Sequence, residues 1–91
     1  MNNTDAARMF KAFSDERRLE ILEKLQTGEK CASELMEDMY MGQSTLSHHM
    51  KILCDCGLVN DRKEGKWHHY SINADVWKEF SEFISVIGKG K

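Results

Sequence analysis

The 91-residue chain has no proline, no internal repeat, no low-complexity tract and only three cysteines. Nothing resembling a linker divides it, and a chain this short holds one core rather than two. Residues 1–91 therefore read as a single domain. No apolar run approaches the ~20 residues needed to span a membrane, and no signal-peptide pattern opens the sequence, so the expected location is the cytoplasm, with no membrane partner. Three cysteines in that compartment are expected to be reduced, and an odd number excludes a simple disulfide framework. No nucleophile–base pair, phosphate loop or carboxylate dyad stands at a usable spacing, which excludes an enzyme. An excess of positive charge is also lacking, with 13 Lys and Arg against 15 Asp and Glu for a net charge of −2. That balance counts against a nucleic-acid partner, whose phosphates reward cations, and favours a protein-interaction module.

The distribution of charge qualifies the total. Between Gly42 and Tyr70 stand four cations (Lys51, Arg62, Lys63, Lys66), three acids (Asp55, Asp61, Glu64) and all four histidines; the surplus acid lies largely between Asp5 and Asp38. Apolar residues make up 41%, and most recur at helical spacing. Thr4 to Phe13 reads as a first helix with Ala7, Met9, Phe10 and Phe13 inward. Ser14-Asp15 stops it and caps a second helix, which runs to about Gln26 and buries Leu19, Ile21 or Leu22, and Leu25. Thr27-Gly28 ends that helix. A third runs from Ala32 to Met39 with Leu35, Met36 and Met39 inward. Cys31 stands at its N-cap, and Glu34 lies three residues on, as in a capping box. Tyr40-Met41-Gly42 turns tightly into a fourth helix, which ends at Gly57 as a C′ glycine. Leu58 to Asp61 and Trp67 to Ile72 read as antiparallel strands around an Arg62–Lys66 turn. A last helix, capped at Asn73 or Asp75, carries Val76, Trp77, Phe80, Phe83, Ile84 and Ile87. The order α-α-α-α-β-β-α, mainly α with a small β-hairpin, is that of a winged helix-turn-helix.

The fourth helix points to a ligand. With Ser44 at zero and about 100° per residue, Ser47 falls near 300°, Lys51 near 340° and His48 near 40°, while Leu46, Met50 and Leu53 cluster at roughly 180–240°. One face can pack into a core while the other offers hydroxyl, imidazole and ammonium groups to the major groove of double-stranded DNA. The basic hairpin follows directly. At the chain ends, Phe10 and Phe13 and then Trp77, Phe80 and Phe83 are a surplus for so small an interior, of which core packing within the monomer can absorb a part. A homodimer through the first and last helices is expected to cover them, which implies a pseudo-palindromic operator with half-sites about one helical turn apart.

Three runs carry a family resemblance: Phe10 to Leu22 (FKAFSDERRLEIL), Gln43 to Lys51 (QSTLSHHMK) and Gly65 to Ile72 (GKWHHYSI). Together they resemble the ArsR/SmtB family of dimeric winged-helix repressors, many of which release DNA on binding a metal or metalloid. The resemblance spans nearly the whole chain. It implies that Gln43, Ser44, Thr45, Ser47 and His48 meet the groove, with Lys51 and the wing residues Arg62, Lys63 and Lys66 near phosphates. The chain departs from the family pattern at Glu16, usually proline; at Tyr40, often glycine; and at Gly42, usually a serine cap. A left-handed backbone at Tyr40 is expected to be costly.

The cysteines match two branches of that family, each by half. Cys31 stands where arsenic-responsive members carry the first of two cysteines, but Ser33 replaces the second. Cys56 matches one cysteine of a cadmium- and lead-responsive branch, whose other position falls on Ile52, and Cys54 is extra. A soft site built from Cys31, Cys54 and Cys56 would suit As(III), Sb(III), Cd(II) or Pb(II) as effector. On a regular helix Cys54 and Cys56 lie about 200° apart, so that site requires a frayed helix end. At a helix N-terminus Cys31 is the thiol expected to react first. The alternatives are oxidation of these thiols, a buried structural role for Cys56 and a cap role for Cys31, with no effector at all. The pairs His48-His49 and His68-His69 are not at a zinc-ligand spacing, and the last helix lacks the His and carboxylate set of zinc-sensing relatives. His49 reads as a packed core residue.

Overall fold

A computed structural model describes residues 1–90. Its elements are α1 (Asn3–Phe13), α2 (Glu16–Leu25), β1 (Lys30–Cys31), α3 (Ala32–Met39), α4 (Gln43–Asp55), β2 (Val59–Glu64), β3 (Trp67–Ile72) and α5 (Ala74–Lys89). The sheet is antiparallel in the order β1-β3-β2. This is the expected winged helix-turn-helix with one strand added ahead of α3. Two residues cannot display a period of 2, so β1 leaves no pattern in the sequence; only its pairing with Tyr70 and His69 defines it.

Short polar residues begin most of the helices. Asn2 accepts from the Asp5 N–H at 2.8 Å, and Asp15 accepts from the Arg17 and Arg18 N–H groups at 2.8 and 3.2 Å. Asn73 caps α5 through the Val76 N–H at 3.3 Å. Before α3 the Cys31 N–H donates to Glu34 Oε1 at 3.1 Å, the reciprocal half of the capping box. Two helices end in the Schellman pattern, where the residue after the helix is left-handed and the next N–H reaches back five positions. Gly57 supplies it for α4 (φ +88°), and Leu58 N–H donates to the Leu53 carbonyl at 3.1 Å. Tyr40 supplies it for α3 (φ 50°, ψ 48°), with Met41 N–H donating to Met36 at 2.9 Å. A left-handed conformation costs an L-residue about 1–2 kcal/mol, and the Tyr40 side chain is 97% exposed, so packing does not offset it.

Ile21, Leu25, Leu35, Leu53 and Leu58 form the fully buried centre. α1 adds Ala6, Met9 and Ala12, and α5 adds Phe80. Three inward assignments fail. Ala7 and Phe10 are exposed, since α1 turns Ala6, Met9 and Ala12 to the core. Leu19 is 47% exposed because it lies roughly 110° around α2 from the centre of the Ile21, Leu22 and Leu25 face. The Leu58 carbonyl accepts from both the Asn73 N–H at 3.0 Å and the Trp77 indole N–H at 3.1 Å, which fastens the exit of α4 to the start of α5. Phe13 stacks on Phe80 with centroids 5.4 Å apart and meets Trp77 edge-on at 5.5 Å, joining α1 to α5. Beyond that cluster Phe10, Ile84, Val86 and Ile87 stay exposed.

The hairpin is longer and tighter than expected. Glu64 pairs with Trp67, so the loop is only Gly65-Lys66. Gly65 has φ +61° at the first central position, where a two-residue II′-type turn needs it. Arg62 and Lys63 therefore lie within β2 rather than in the turn.

Candidate nucleic-acid interface

The recognition candidate α4 divides as its wheel requires. Leu46, His49, Met50 and Leu53 are buried, whereas Gln43, Ser44, Thr45, Ser47, His48 and Lys51 are all exposed. Lys51 Nζ lies 3.3 Å from Asp55 Oδ2 with both side chains largely in solvent, so the pair is weak and its lysine easily released. A groove of about 500 Å³ runs between this helix and the wing. Gln43, Ser47 and Lys51 line one side and Lys66, Trp67 and His68 the other. The helix face and the hairpin tip thus border one concave surface.

Beneath α4 a buried arginine forms its seat. Arg18, with only 11% of its side chain exposed, donates from Nε to the Ala12 carbonyl at 2.8 Å and from Nη2 to Lys11 at 3.3 Å, both at the end of α1. Its Nη1 donates to His49 Nδ1 at 3.3 Å. A guanidinium has no acceptor, so Nδ1 must be unprotonated and His49 neutral with its proton on Nε2. Burial, with Arg18 adding to it against the opposing pull of Asp15, holds the His49 pKa below its ordinary value. The neighbouring Arg17 donates to the Met39 carbonyl at the end of α3 and to Glu20. These arginines tie α1, α2, α3 and α4 into a fixed corner. Sequence reading placed His49 in the core but missed Arg18, because their contact spans 31 residues and has no local spacing to betray it.

The wing cations are unequal. Lys63 and Lys66 are exposed, with Lys66 Nζ 5.7 Å from the Trp67 ring centroid. Arg62 is committed within the chain. Its Nη2 and Nε donate to the two oxygens of Glu29 at 2.7 and 3.2 Å, and Nη1 donates to Glu64 at 2.9 Å. The Arg62 hydrogen bond holds the Glu29 carboxyl below its usual range. His68 Nδ1 lies 2.9 Å from Asp61 and its ring stacks on Tyr70 at 6.0 Å. Burial pushes the Tyr70 hydroxyl up to about 12.

The three thiols do not meet. Cys31 caps α3 beside His69, its Sγ 3.1 Å from Ser33 Oγ. Cys54 opens toward the groove at the wing, whereas Cys56 turns toward Gly57 and Val76 at the start of α5. Because Cys56 keeps right-handed helical geometry, the fraying that would bring Cys54 and Cys56 together does not occur. Among the described residues no three His, Cys, Asp or Glu side chains are grouped to hold a metal ion, so within one chain the donor set does not fit a three-cysteine site. Burial pushes Cys54 up to about 11 and also raises Cys56, whose Sγ donates to the Leu53 carbonyl at 3.3 Å. Both are protonated thiols at neutral pH.

Comparison with known proteins fits this geometry. The family model described as bacterial regulatory protein, arsR family, matches residues 15–61, from the cap of α2 through α4 into β2. An arsenical resistance operon repressor from Staphylococcus xylosus is 44% identical over 87 residues, 96% of this chain and 84% of the relative. A homologue of the cadmium resistance regulatory protein CadC from Staphylococcus aureus is 35% identical over 82 residues, 89% of this chain and 68% of the relative. Among solved structures, the homodimeric winged helix-turn-helix DNA-binding domain of a possible ArsR-family regulator from Mycobacterium bovis superposes with a TM-score of 0.76. It is 32% identical and covers 94% of this chain and 80% of that one. The helical seat, the polar face of α4 and the wing thus sit in a chain that belongs to the arsR family of bacterial regulatory proteins.

Proposed function

We propose that the protein is a cytoplasmic repressor that binds a pseudo-palindromic operator near its own gene as a homodimer. The observation that carries this reading is the shared groove, where exposed polar residues of α4 face the lysine-bearing tip of the wing. Gln43, Ser44, Thr45, Ser47 and His48 read base edges, and Lys51, Arg62, Lys63 and Lys66 serve the phosphates. Exposed Phe10, Ile84 and Ile87 on α1 and α5 supply the dimer face, in keeping with the homodimeric Mycobacterium bovis relative.

A thiol-directed effector, As(III) or Sb(III), or Cd(II) or Pb(II), releases the DNA. The arsenical resistance repressor and the cadmium resistance regulatory protein among its relatives support this. Cys31, at the junction of β1 and α3, is the thiol we assign to it, since Cys54 and Cys56 are held protonated by burial. Oxidation of Cys31 is the second reading.

The test is fluorescence anisotropy of the reduced protein on the DNA upstream of its gene, with and without arsenite. Binding that weakens steeply with salt and is reversed by arsenite is expected, with Cys31→Ser binding normally but no longer released. Salt-insensitive or absent binding overturns the DNA assignment, and normal release of Cys31→Ser overturns the effector thiol.

A further inference from the structure

The wing arginine is already occupied. Arg62 presents the Nε–Nη2 edge of its guanidinium to both oxygens of Glu29 and its remaining Nη1 to Glu64. The Nε–Nη2 edge is one of the paired donor edges with which arginine grips a phosphate. Glu29 is not a neighbour in sequence. It stands in the loop between α2 and β1, 33 residues away, and arrives beside the wing because β1 pairs with β3. Across that sheet Cys31 pairs with His69 and His69 with Arg62, so the three share a row. All members of the ion pair are partly open to solvent, with side-chain exposures of 51% for Arg62, 39% for Glu29 and 70% for Glu64. The tie is therefore exchangeable rather than locked.

We propose that Glu29 competes with DNA for Arg62, so that the wing arginine is held in reserve and engages a phosphate only by displacing a carboxylate of its own chain. This rests on the DNA-binding reading above and adds to it a residue that sets affinity without touching DNA. The physical consequence concerns salt. Binding releases counterions from phosphates in proportion to the free cations brought to them, about 0.9 per contact. A guanidinium neutralised in advance exchanges one anion for another and adds little to that slope. Glu29 thereby weakens the phosphate share of binding, which is nearly all of non-specific attraction, and leaves base contacts untouched.

The experiment compares wild type, Glu29→Gln, Arg62→Gln and the double variant on a duplex from upstream of the gene and on a random duplex, across 50–200 mM salt. Glu64→Gln serves as a second route to the same release. Freeing Arg62 in both protomers, each from an exposed ion pair, should tighten random-duplex binding roughly two- to thirtyfold. The salt slope should steepen by about one unit per protomer. Glu64→Gln should act in the same direction. In the Arg62→Gln background the effect of Glu29→Gln should vanish. Unchanged or weaker binding by Glu29→Gln overturns the proposal, as does a gain that survives intact without Arg62, which would mark simple removal of negative charge. Failure of the wild type to bind either duplex overturns the DNA-binding reading and the competition with it; wild-type binding that is indifferent to Glu29 overturns the competition alone.

Discussion

Arg18 and Arg62 both spend their guanidinium groups inside the chain, in opposite surroundings. Arg18 lies under α4, 11% exposed, bonded to two carbonyls of α1 and to a neutral histidine of α4. Arg62 lies on the wing, 51% exposed, bonded to two carboxylates. Losing a partner in the first setting leaves a desolvated group unpaired, whereas in the second water replaces it at little cost. The seat of α4 is therefore a matter of stability, and the wing a matter of charge. On the proposed function, base contacts held in register need the first, and a phosphate clamp that must let go of non-specific sites is better served by the second.

The largest effect should come from the apolar half of the seat. Leu53 is fully buried on the inner face of α4, and its carbonyl accepts from Leu58 N–H in the C-terminal lock. Leu53→Ala should cost about 2–5 kcal/mol in urea unfolding; a loss under 1 kcal/mol would mean that α4 is not seated as described. Next is Arg18→Met, which leaves two α1 carbonyls and His49 without their donor. It should cost about 1–3 kcal/mol and weaken operator binding through a misplaced α4. Arg62→Met should leave stability nearly unchanged, and equal losses for the two arginines would erase the contrast.

Acid should separate the regions too. His49 titrates below its ordinary value of about 6.5 in the folded chain. As pH falls through 6.5 the unfolded chain takes up this proton first, so stability falls with pH until the folded His49 also protonates, and then levels. The carboxylates held low, Asp15 by the Arg18 backbone N–H and Glu29 by Arg62, lose their contribution only further down, below about 4.5. His49→Gln should therefore flatten the decline in Tm between pH 7.5 and 5, at unchanged slope below it. One further change lies outside both regions. Tyr40→Gly removes the left-handed penalty but adds backbone freedom to the unfolded chain, for a net gain of about 0.5–1 kcal/mol measured by thermal melting. A loss of stability would show that the exposed ring contributes a contact.

What could be read ahead of the structure follows from how far each signal reaches. The two faces of α4, the glycine lock at Gly57 and the strained turn at Tyr40 are local, and each is written within a few residues. The packing of Met9, Leu35 and Phe80 follows from period and bulk. β1 is too short to carry a period, and β2 shows no alternation because all of it beyond Val59 is exposed, so the hairpin was drawn too short. Leu19 looked buried because apolar character alone does not fix an angle around a helix. The ties Arg18–His49 and Arg62–Glu29 cross 31 and 33 residues, and nothing in either segment announces the other. The cysteines gave half-matches to two patterns, and geometry left them apart.

The outer position of β2 has a consequence for how the molecule behaves in a crowd. With the sheet ordered β1-β3-β2, one edge of β2 has no strand beside it among the described residues, and an open edge is a template on which a strand from another molecule can grow. Asp61, Arg62, Lys63 and Glu64 occupy that edge in succession, all exposed. Extending the sheet would press their like charges against those of an identical strand and strip water from each. The charges of the wing thus guard it against its own kind, and a variant with a neutral, β-branched wing should be found in aggregates.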